Sequence, residues 1–416
     1  MVGTELELEV GAVAHGGHCV ARHEGRAVFV RHALPGERVR AVVTDGRERD
    51  RFWRADAVQV HTPSPDRVDP PCRWAGPGRC GGCDWQHAAL PAQRAIKAAV
   101  VREQLAHLAG IDLPVEVEAV AVPESGRDGA QGRGRDGAPG RGDDGLGWRT
   151  RVGLHVGPAG RAGLLAHRSH EVVPIDDCLI AHPRLDIADA LARDWSGCAR
   201  VDVVATPVSG RLLLTAPPRE VSAQAPWVTE RAVGRTWQLP ARTFWQGHPG
   251  AADALVAAML AGLGPRPGER ALDLYAGAGL FAGALAQAVG AQGAVAAIEA
   301  DAAAVSAAAV NLADFSWVSV VRGDVGAVLA GSQALPVDLV VLDPPRTGAG
   351  RGVVGAVADR GPRAVAYVAC DPAALGRDLA DFATRGYPVT SLRAFDLFPM
   401  THHVECVAIL GWAGED

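Results

Sequence analysis

Residues 337–346 read VDLVVLDPPR, and this stretch decides the fold of the C-terminal half. An unbroken apolar run closed by two prolines is the pattern of a strand covered on both faces, which has no wet side to carry polar residues. Four similar runs lie around it: RALDLYAG at 270–277, GAVAAIEAD at 293–301, WVSVVRGD at 317–324 and RAVAYVACDP at 363–372. Ala-rich helical stretches separate them. Strand and helix in strict alternation predict a doubly wound, largely parallel α/β sheet, Rossmann-like in layout, over residues 243–416. The run HHVECVAILGW at 402–412 reads as a final strand, antiparallel at the end of that sheet.

Upstream the pattern changes to short strands and turns. TELELEV at 4–10 alternates strictly, ARHEGRAVFVRH at 21–32 turns at Glu24-Gly25, and residues 37–60 alternate again. This spacing predicts a small antiparallel, OB-like β-barrel over residues 1–62. Nine arginines and five acidic residues fall between Arg22 and Arg54. A basic barrel face can track a nucleic-acid backbone, although a solvated surface explains the same charges. The Pro-rich HTPSPDRVDPP at 61–71 marks a boundary. A central α+β domain is expected at 63–242, with a cysteine-bearing loop, a helix near 90–108 and a mostly antiparallel sheet. Within it, residues 124–147 are a low-complexity run of Gly, Arg and Asp, predicted to be a flexible surface insertion.

A chain of 416 residues suits this count of two or three domains. The net charge of −6 excludes a uniformly basic nucleic-acid sleeve. The charge is uneven: residues 1–242 hold 31 basic and 30 acidic side chains, residues 243–416 hold 10 and 17. Lys97 is the sole lysine. No run of about 18 apolar residues predicts a membrane span, and MVGTELELEV is not a signal peptide. A cytoplasmic monomer without membrane association is expected, and its eight cysteines then need a reading other than disulfides.

In an open α/β sheet, ligands bind at the carboxyl ends of the strands. Asp273-Leu-Tyr275-Ala-Gly277-Ala-Gly279 follows the first strand of this sheet, Glu299 ends the second and Asp324 follows the third. An acidic residue at the end of the second strand can accept both hydroxyls of a ribose. Dinucleotide proteins share these features, but the loop lacks their third glycine, so S-adenosylmethionine is the expected cofactor. Asp343-Pro344-Pro345 ends the fourth strand and Cys370 the fifth. A lone cysteine is ordinarily an inert apolar residue. Its place in the same mouth as Asp343, before a helix whose N-terminus lowers a thiol pKa, makes Cys370 a nucleophile candidate. Glu405 lies in an apolar strand, where desolvation raises a carboxylate's pKa.

Residues 242–416 resemble the catalytic domain of the RNA 5-methyluridine methyltransferases, the uracil-C5 family of bacterial tRNA and 23S rRNA enzymes. FWQ (244–246), LDLYAGAG, IEAD, LDPPRTGAG, YVACDP and FPMTHHVE (398–405) carry the likeness, in that order. The N-terminal barrel resembles the TRAM domain of many members. The resemblance implies a class I methyltransferase domain, Cys370 as nucleophile toward uracil C6, and Glu405 as the base that removes the C5 proton. It further implies that Gln246, Tyr275, Glu299 and Asp343 contact S-adenosylmethionine, with Asp324 near the adenine. Its substrate would be rRNA or tRNA, with the target base flipped out of its stack. Two positions depart from the family: Gly247-His248-Pro249 where an Asn is usual, and Leu280 where a polar residue is common.

Cys72, Cys80 and Cys83 form C-x7-C-x2-C, and Cys178 lies in PIDDCLIAHP. Iron–sulfur members of the family show three close cysteines and a remote fourth. The resemblance therefore implies a [4Fe–4S] cluster, with zinc or no metal as alternatives. Cys19, Cys198 and Cys406 are expected to be structural, and His402 and His403 to be strand-end packing. The competing functions are an amino-methylating Asp-Pro-Pro enzyme, which needs neither Cys370 nor Glu405, a 5-methylcytosine enzyme, which lacks its second cysteine here, and a non-catalytic RNA-binding protein.

Overall fold

The computed structural model describes residues 1–123, 144–216, 225–331 and 336–413. Of the expected insertion, residues 124–143 lie outside the described residues. Strands β1 (Glu5–Ala14), β2 (His18–His23), β3 (Arg26–Arg31), β4 (Arg38–Asp45) and β5 (Phe52–Thr62) close into a barrel in the order β1-β2-β3-β5-β4. Leu6, Leu8 and Val10 point inward while Glu5, Glu7 and Glu9 face water, as the alternation requires. The barrel is not wholly antiparallel: β3 and β5 run parallel. A ring of five strands cannot alternate direction all the way round, so closure forces one parallel pair.

Helix α1 (Leu90–Ala109) carries Pro91 in its first turn and ends where left-handed Gly110 donates its N–H back to the last turn. After β6 (Val117–Ala119) comes the central sheet. It is built from β7 (Arg151–Val156), β8 (Ala162–Leu165), β9 (Val172–Val173), then α2 (Ile187–Ala192), β10 (Arg200–Thr206) and β11 (Gly210–Ala216). Its order is β11-β10-β7-β8-β9, antiparallel throughout. A hairpin, β12 (Trp227–Ala232) and β13 (Arg235–Pro240), leads into α3 (Ala251–Leu263).

The α/β unit then alternates as expected. It comprises β14 (Arg270–Leu274), α4 (Leu280–Val289), β15 (Ala294–Glu299), α5 (Ala302–Asn311), β16 (Val318–Arg322), α6 (Val325–Gly331), β17 (Leu339–Leu342), α7 (Gly350–Ala358), β18 (Ala364–Ala369), α8 (Pro372–Ala383), β19 (Val389–Asp396) and β20 (Glu405–Gly411). The sheet order is β16-β15-β14-β17-β18-β20-β19-β6. β14 to β18 are parallel, and β20 is antiparallel to both neighbours. All residues of β17 and β18 are buried, the state their apolar runs require. α8 buries Leu375, Leu379 and Phe382 along one face, and burying such a side chain contributes roughly 1.5–3 kcal/mol.

The sheet reaches back in sequence for two elements. β6 pairs parallel to β19, and α1 lays Ala98, Val101 and Leu105 into the core that also holds Leu375 and Leu379. The strand order reverses direction between β14 and β17, so the crevice where a ligand binds opens between their carboxyl ends.

Candidate active site

Cys370 follows the last residue of β18, and Glu405 opens β20. Ala369 stands opposite Cys406 in their antiparallel ladder. One further step along that ladder sets Cys370 beside Glu405. Asp343 and Arg346 reach the same place from the end of β17, since both act electrostatically on Cys370 and on Glu405. The Cys370 thiol is pushed up to about 11, first by burial and then by Glu405 and Asp343, with Arg346 opposing. This corrects the expected lowering by the helix terminus. Two carboxyl groups and a low-dielectric wall outweigh a partial helix charge. Burial and Asp343 push Glu405 well above the ordinary carboxylate range.

The crevice at the strand reversal holds the cofactor candidates. The Asp343 N–H donates to the Leu274 carbonyl at 3.3 Å, which joins the two sides. Asp343 is pushed up to about 7 by burial. Asp273 is fully buried, and its Oδ2 accepts the Ala282 N–H at 2.7 Å while Oδ1 has no partner. Burial, then Asp343 and Glu299, push it up to about 8. Glu299 accepts from the Gly277 N–H at 2.9 Å and the Asp301 N–H at 2.8 Å, leaving each oxygen a free lone pair. Asp324 Oδ1 accepts the Ala327 N–H at 2.9 Å, and half-buried Tyr275 has a φ of 64°. Gly279 starts α4 at a φ of 90°, and a Cβ there would lie 2.9 Å from Leu312, so only glycine fits. Gln246 is buried just ahead of α3. A donor set with an orphaned buried carboxylate oxygen and a two-pronged acid fits a cation attached to a ribose, as in S-adenosylmethionine.

The two departures from the family have structural explanations. His248 stacks on Trp148 and its Nδ1 accepts the Gly250 N–H at 3.1 Å, and Leu280 packs into the core. Cys19 and Cys406 are buried core residues. Other residues near the site had no sequence signal. Asp378 of α8 accepts the Ala349 and Gly350 N–H groups and the Tyr367 hydroxyl, which ties down the loop that follows Asp-Pro-Pro. Asp371 caps α8, and His15 from the barrel lies 3.2 Å from its carboxylate. His402 and His403 do more than pack. His402 bonds Asp84, and His403 Nε2 lies 3.3 Å from the Arg346 guanidinium.

The four clustered cysteines reach only part of the way to the expected metal site. Cys72, Cys80, Cys83 and Cys178 stand within electrostatic range of one another, and all are free thiols. Yet among the described residues no group of three or more Cys, His, Asp or Glu side chains is placed to hold a metal ion. Cys80 Sγ instead accepts the Gly82 N–H and Cys83 Sγ the Gln86 amide. Burial pushes the Cys178 thiol up to about 11 and raises those of Cys80 and Cys83.

Residues 1–58 match the TRAM domain family, and residues 332–412 match the tRNA (Uracil-5-)-methyltransferase family. An uncharacterized RNA methyltransferase of Streptomyces avermitilis is 49% identical over 98% of each chain. The 23S rRNA (uracil(1939)-C(5))-methyltransferase RlmD of Chromohalobacter salexigens is 32% identical over 97% of this chain and 88% of its own. The chain belongs to the RNA (uracil-5-)-methyltransferase family. The fold agrees: Pyrococcus abyssi tRNA (uracil-54, C5)-methyltransferase, solved with S-adenosyl-L-homocysteine, superposes with a TM-score of 0.67 at 20% identity, covering 97% of this chain and all of its own. As a member of that family, the chain is an RNA methyltransferase. No described helix is long and apolar enough to cross a membrane.

Proposed function

We propose that this enzyme forms 5-methyluridine in rRNA or tRNA through a covalent bond between Cys370 and uracil C6. The observation that supports the reading is the shared ladder of β18 and β20, which brings Cys370 and Glu405 side by side. Uracil C5 is a weak nucleophile. Addition of the Cys370 thiolate to C6 turns the ring into an enolate with electron density at C5. S-adenosylmethionine would supply an electrophilic sulfonium methyl, to which C5 bonds as the S–CH3 bond breaks and its electron pair leaves with S-adenosylhomocysteine. Glu405 then removes the C5 proton, and the electron pair released re-forms the C5–C6 double bond and expels the thiolate. A carboxylate with a raised pKa is the stronger base for that step. Arg346 favours the thiolate form of Cys370. Gln246, Tyr275, Glu299 and Asp343 hold the methyl donor, with Asp324 toward the adenine.

RNA recognition is proposed at the barrel. The Arg26 guanidinium lies 4.2 Å over the Trp53 ring and that of Arg54 5.0 Å over exposed Phe52, an arrangement suited to backbone and unstacked bases. The four cysteines are proposed as ligands of a [4Fe–4S] cluster, on the strength of their donor set and shared neighbourhood. Anaerobically purified protein should then be brown, and colourless protein with stoichiometric zinc refutes the cluster.

The function is tested with labelled S-adenosylmethionine and bulk RNA that lacks the modification, digested to nucleosides. Labelled 5-methyluridine is expected, and no label with Cys370→Ala. A product methylated on an amino group, or full activity of Cys370→Ala, would sink the reading.

A further inference from the structure

Residues 397–404, which lead into Glu405, form a strap outside the catalytic sheet, and three parts of the molecule hold it. From α1, Lys97 Nζ bonds Asp396 Oδ1 at 2.6 Å and the Phe398 carbonyl at 3.0 Å. Gln93 accepts the Met400 N–H at 2.8 Å and donates to the Trp85 and Ala88 carbonyls. From the cysteine loop, the Asp84 and Trp85 N–H groups both donate to the Met400 carbonyl, at 2.9 and 3.0 Å. Met400 sits at a φ of 68°, a left-handed conformation that a side chain adopts at a cost, and these bonds offset it.

The carboxylate of Asp84, next to Cys83, does something different from these backbone ties. Its Oδ2 accepts both the backbone N–H of His402 at 3.1 Å and the ring Nδ1 at 2.7 Å. Its Oδ1 faces Arg31 of the barrel at 3.6 Å. Gly17 of the barrel closes over the pair: a Cβ there would lie 3.0 Å from Asp84 and 3.1 Å from His402. The His402 ring lies against His403, centroids 4.1 Å apart, and His403 reaches Arg346 at 3.3 Å. A chain of direct contacts therefore runs from Asp84 through His402 and His403 to Arg346, the cation that faces Cys370 and Glu405.

We propose that Asp84 is a positioning residue for the methylation reaction, fixing His402 so that Arg346 and Glu405 keep their places around Cys370. This makes the cysteine loop a support for the catalytic base. It rests on the assignment of Cys370 and Glu405 above. A misplacement of about 1 Å in a catalytic group can cost roughly a hundredfold in rate. The loss should fall on the base step, because Glu405 sits directly after the strap, whereas Cys370 is fixed by β18.

The full-length enzyme is tested as Asp84→Ala, Asp84→Asn and His402→Ala, with Glu405→Gln alongside. Each is given unmodified RNA and S-adenosylmethionine and examined on denaturing gels for an RNA–protein adduct. If base removal fails after methyl transfer, the methylated adduct accumulates. Asp84→Ala and His402→Ala should both show it, with kcat lowered about tenfold or more and KM for RNA within about threefold. Asp84→Asn keeps an acceptor for the His402 N–H and should recover most of the turnover. Wild-type turnover in His402→Ala overturns the proposal, as does loss of activity in Asp84→Ala without an adduct. An adduct in neither Asp84→Ala nor Glu405→Gln overturns the role assigned to Glu405 itself. An adduct in Glu405→Gln alone leaves that role standing and removes only Asp84.

Discussion

Two buried polar regions lie close together in this enzyme and are built in opposite ways. At the strap junction every named charge has a partner. Lys97 meets Asp396, and Asp84 meets His402 and Arg31, which against the effect of burial hold its carboxyl down at about 2. At the mouth of the sheet the acids are short of partners. Asp273 keeps an orphaned oxygen, burial pushes up Asp273, Asp343, Glu405 and Cys370 alike, and Asp343 adds to the rise of the other three. Partnered buried charge maintains a structure. Unpartnered buried charge is tolerated where a ligand will arrive to complete it.

The contrast is broken most sharply by removing Cys370. Cys370→Ala should lower the methylation rate by roughly 10⁴-fold or more, with S-adenosylmethionine affinity and melting temperature unchanged. A large drop in melting temperature would place Cys370 with the structural group instead. Lys97→Ala should do the reverse. By leaving Asp396 buried and unpaired it should cost about 3–5 kcal/mol in urea unfolding, whereas Lys97→Met with Asp396→Leu should regain most of it. Equal loss in the double variant would show that packing, not pairing, matters there.

Smaller effects probe the mouth. Asp273 is protonated below about 8 in the free protein, and a cationic ligand favours its ionised form. S-adenosylmethionine should therefore bind more tightly as pH rises, by up to about tenfold per unit below 8 and flattening above, with a proton released on binding. Calorimetry in two buffers of different ionisation enthalpy measures that proton, and Asp273→Asn should abolish it. Last, Arg346→Gln should slow alkylation of Cys370 by iodoacetamide several-fold at pH 8, because the guanidinium favours the thiolate. Unchanged alkylation would mean that the surrounding acids alone set the thiol.

What the sequence reveals follows from the range of the forces involved. The runs that became β14, β17 and β18 are legible because strands covered on both faces must be apolar throughout. β6 has three residues and β19 is half-exposed, so neither carries a periodicity. The catalytic residues are legible through motifs at strand ends, but the direction of the Cys370 shift is not. The helix terminus is local to it, while Asp343 and Glu405 arrive from other strands. Asp84 gives no signal at all, since the residue it holds is 318 positions away.

The place of β20 in the sheet bears on how the enzyme is made. It comes after β18 and β19 in the chain yet lies between them. A ribosome that has produced both flanking strands has left a gap in the middle of the sheet, with the nucleophile synthesised and the base still missing. The edges of β18 and β19 that face the gap stay unpaired, or pair wrongly, until the last strand slides in. Catalytic competence and completion of the sheet are thus a single event, and a chain interrupted before residue 405 has neither.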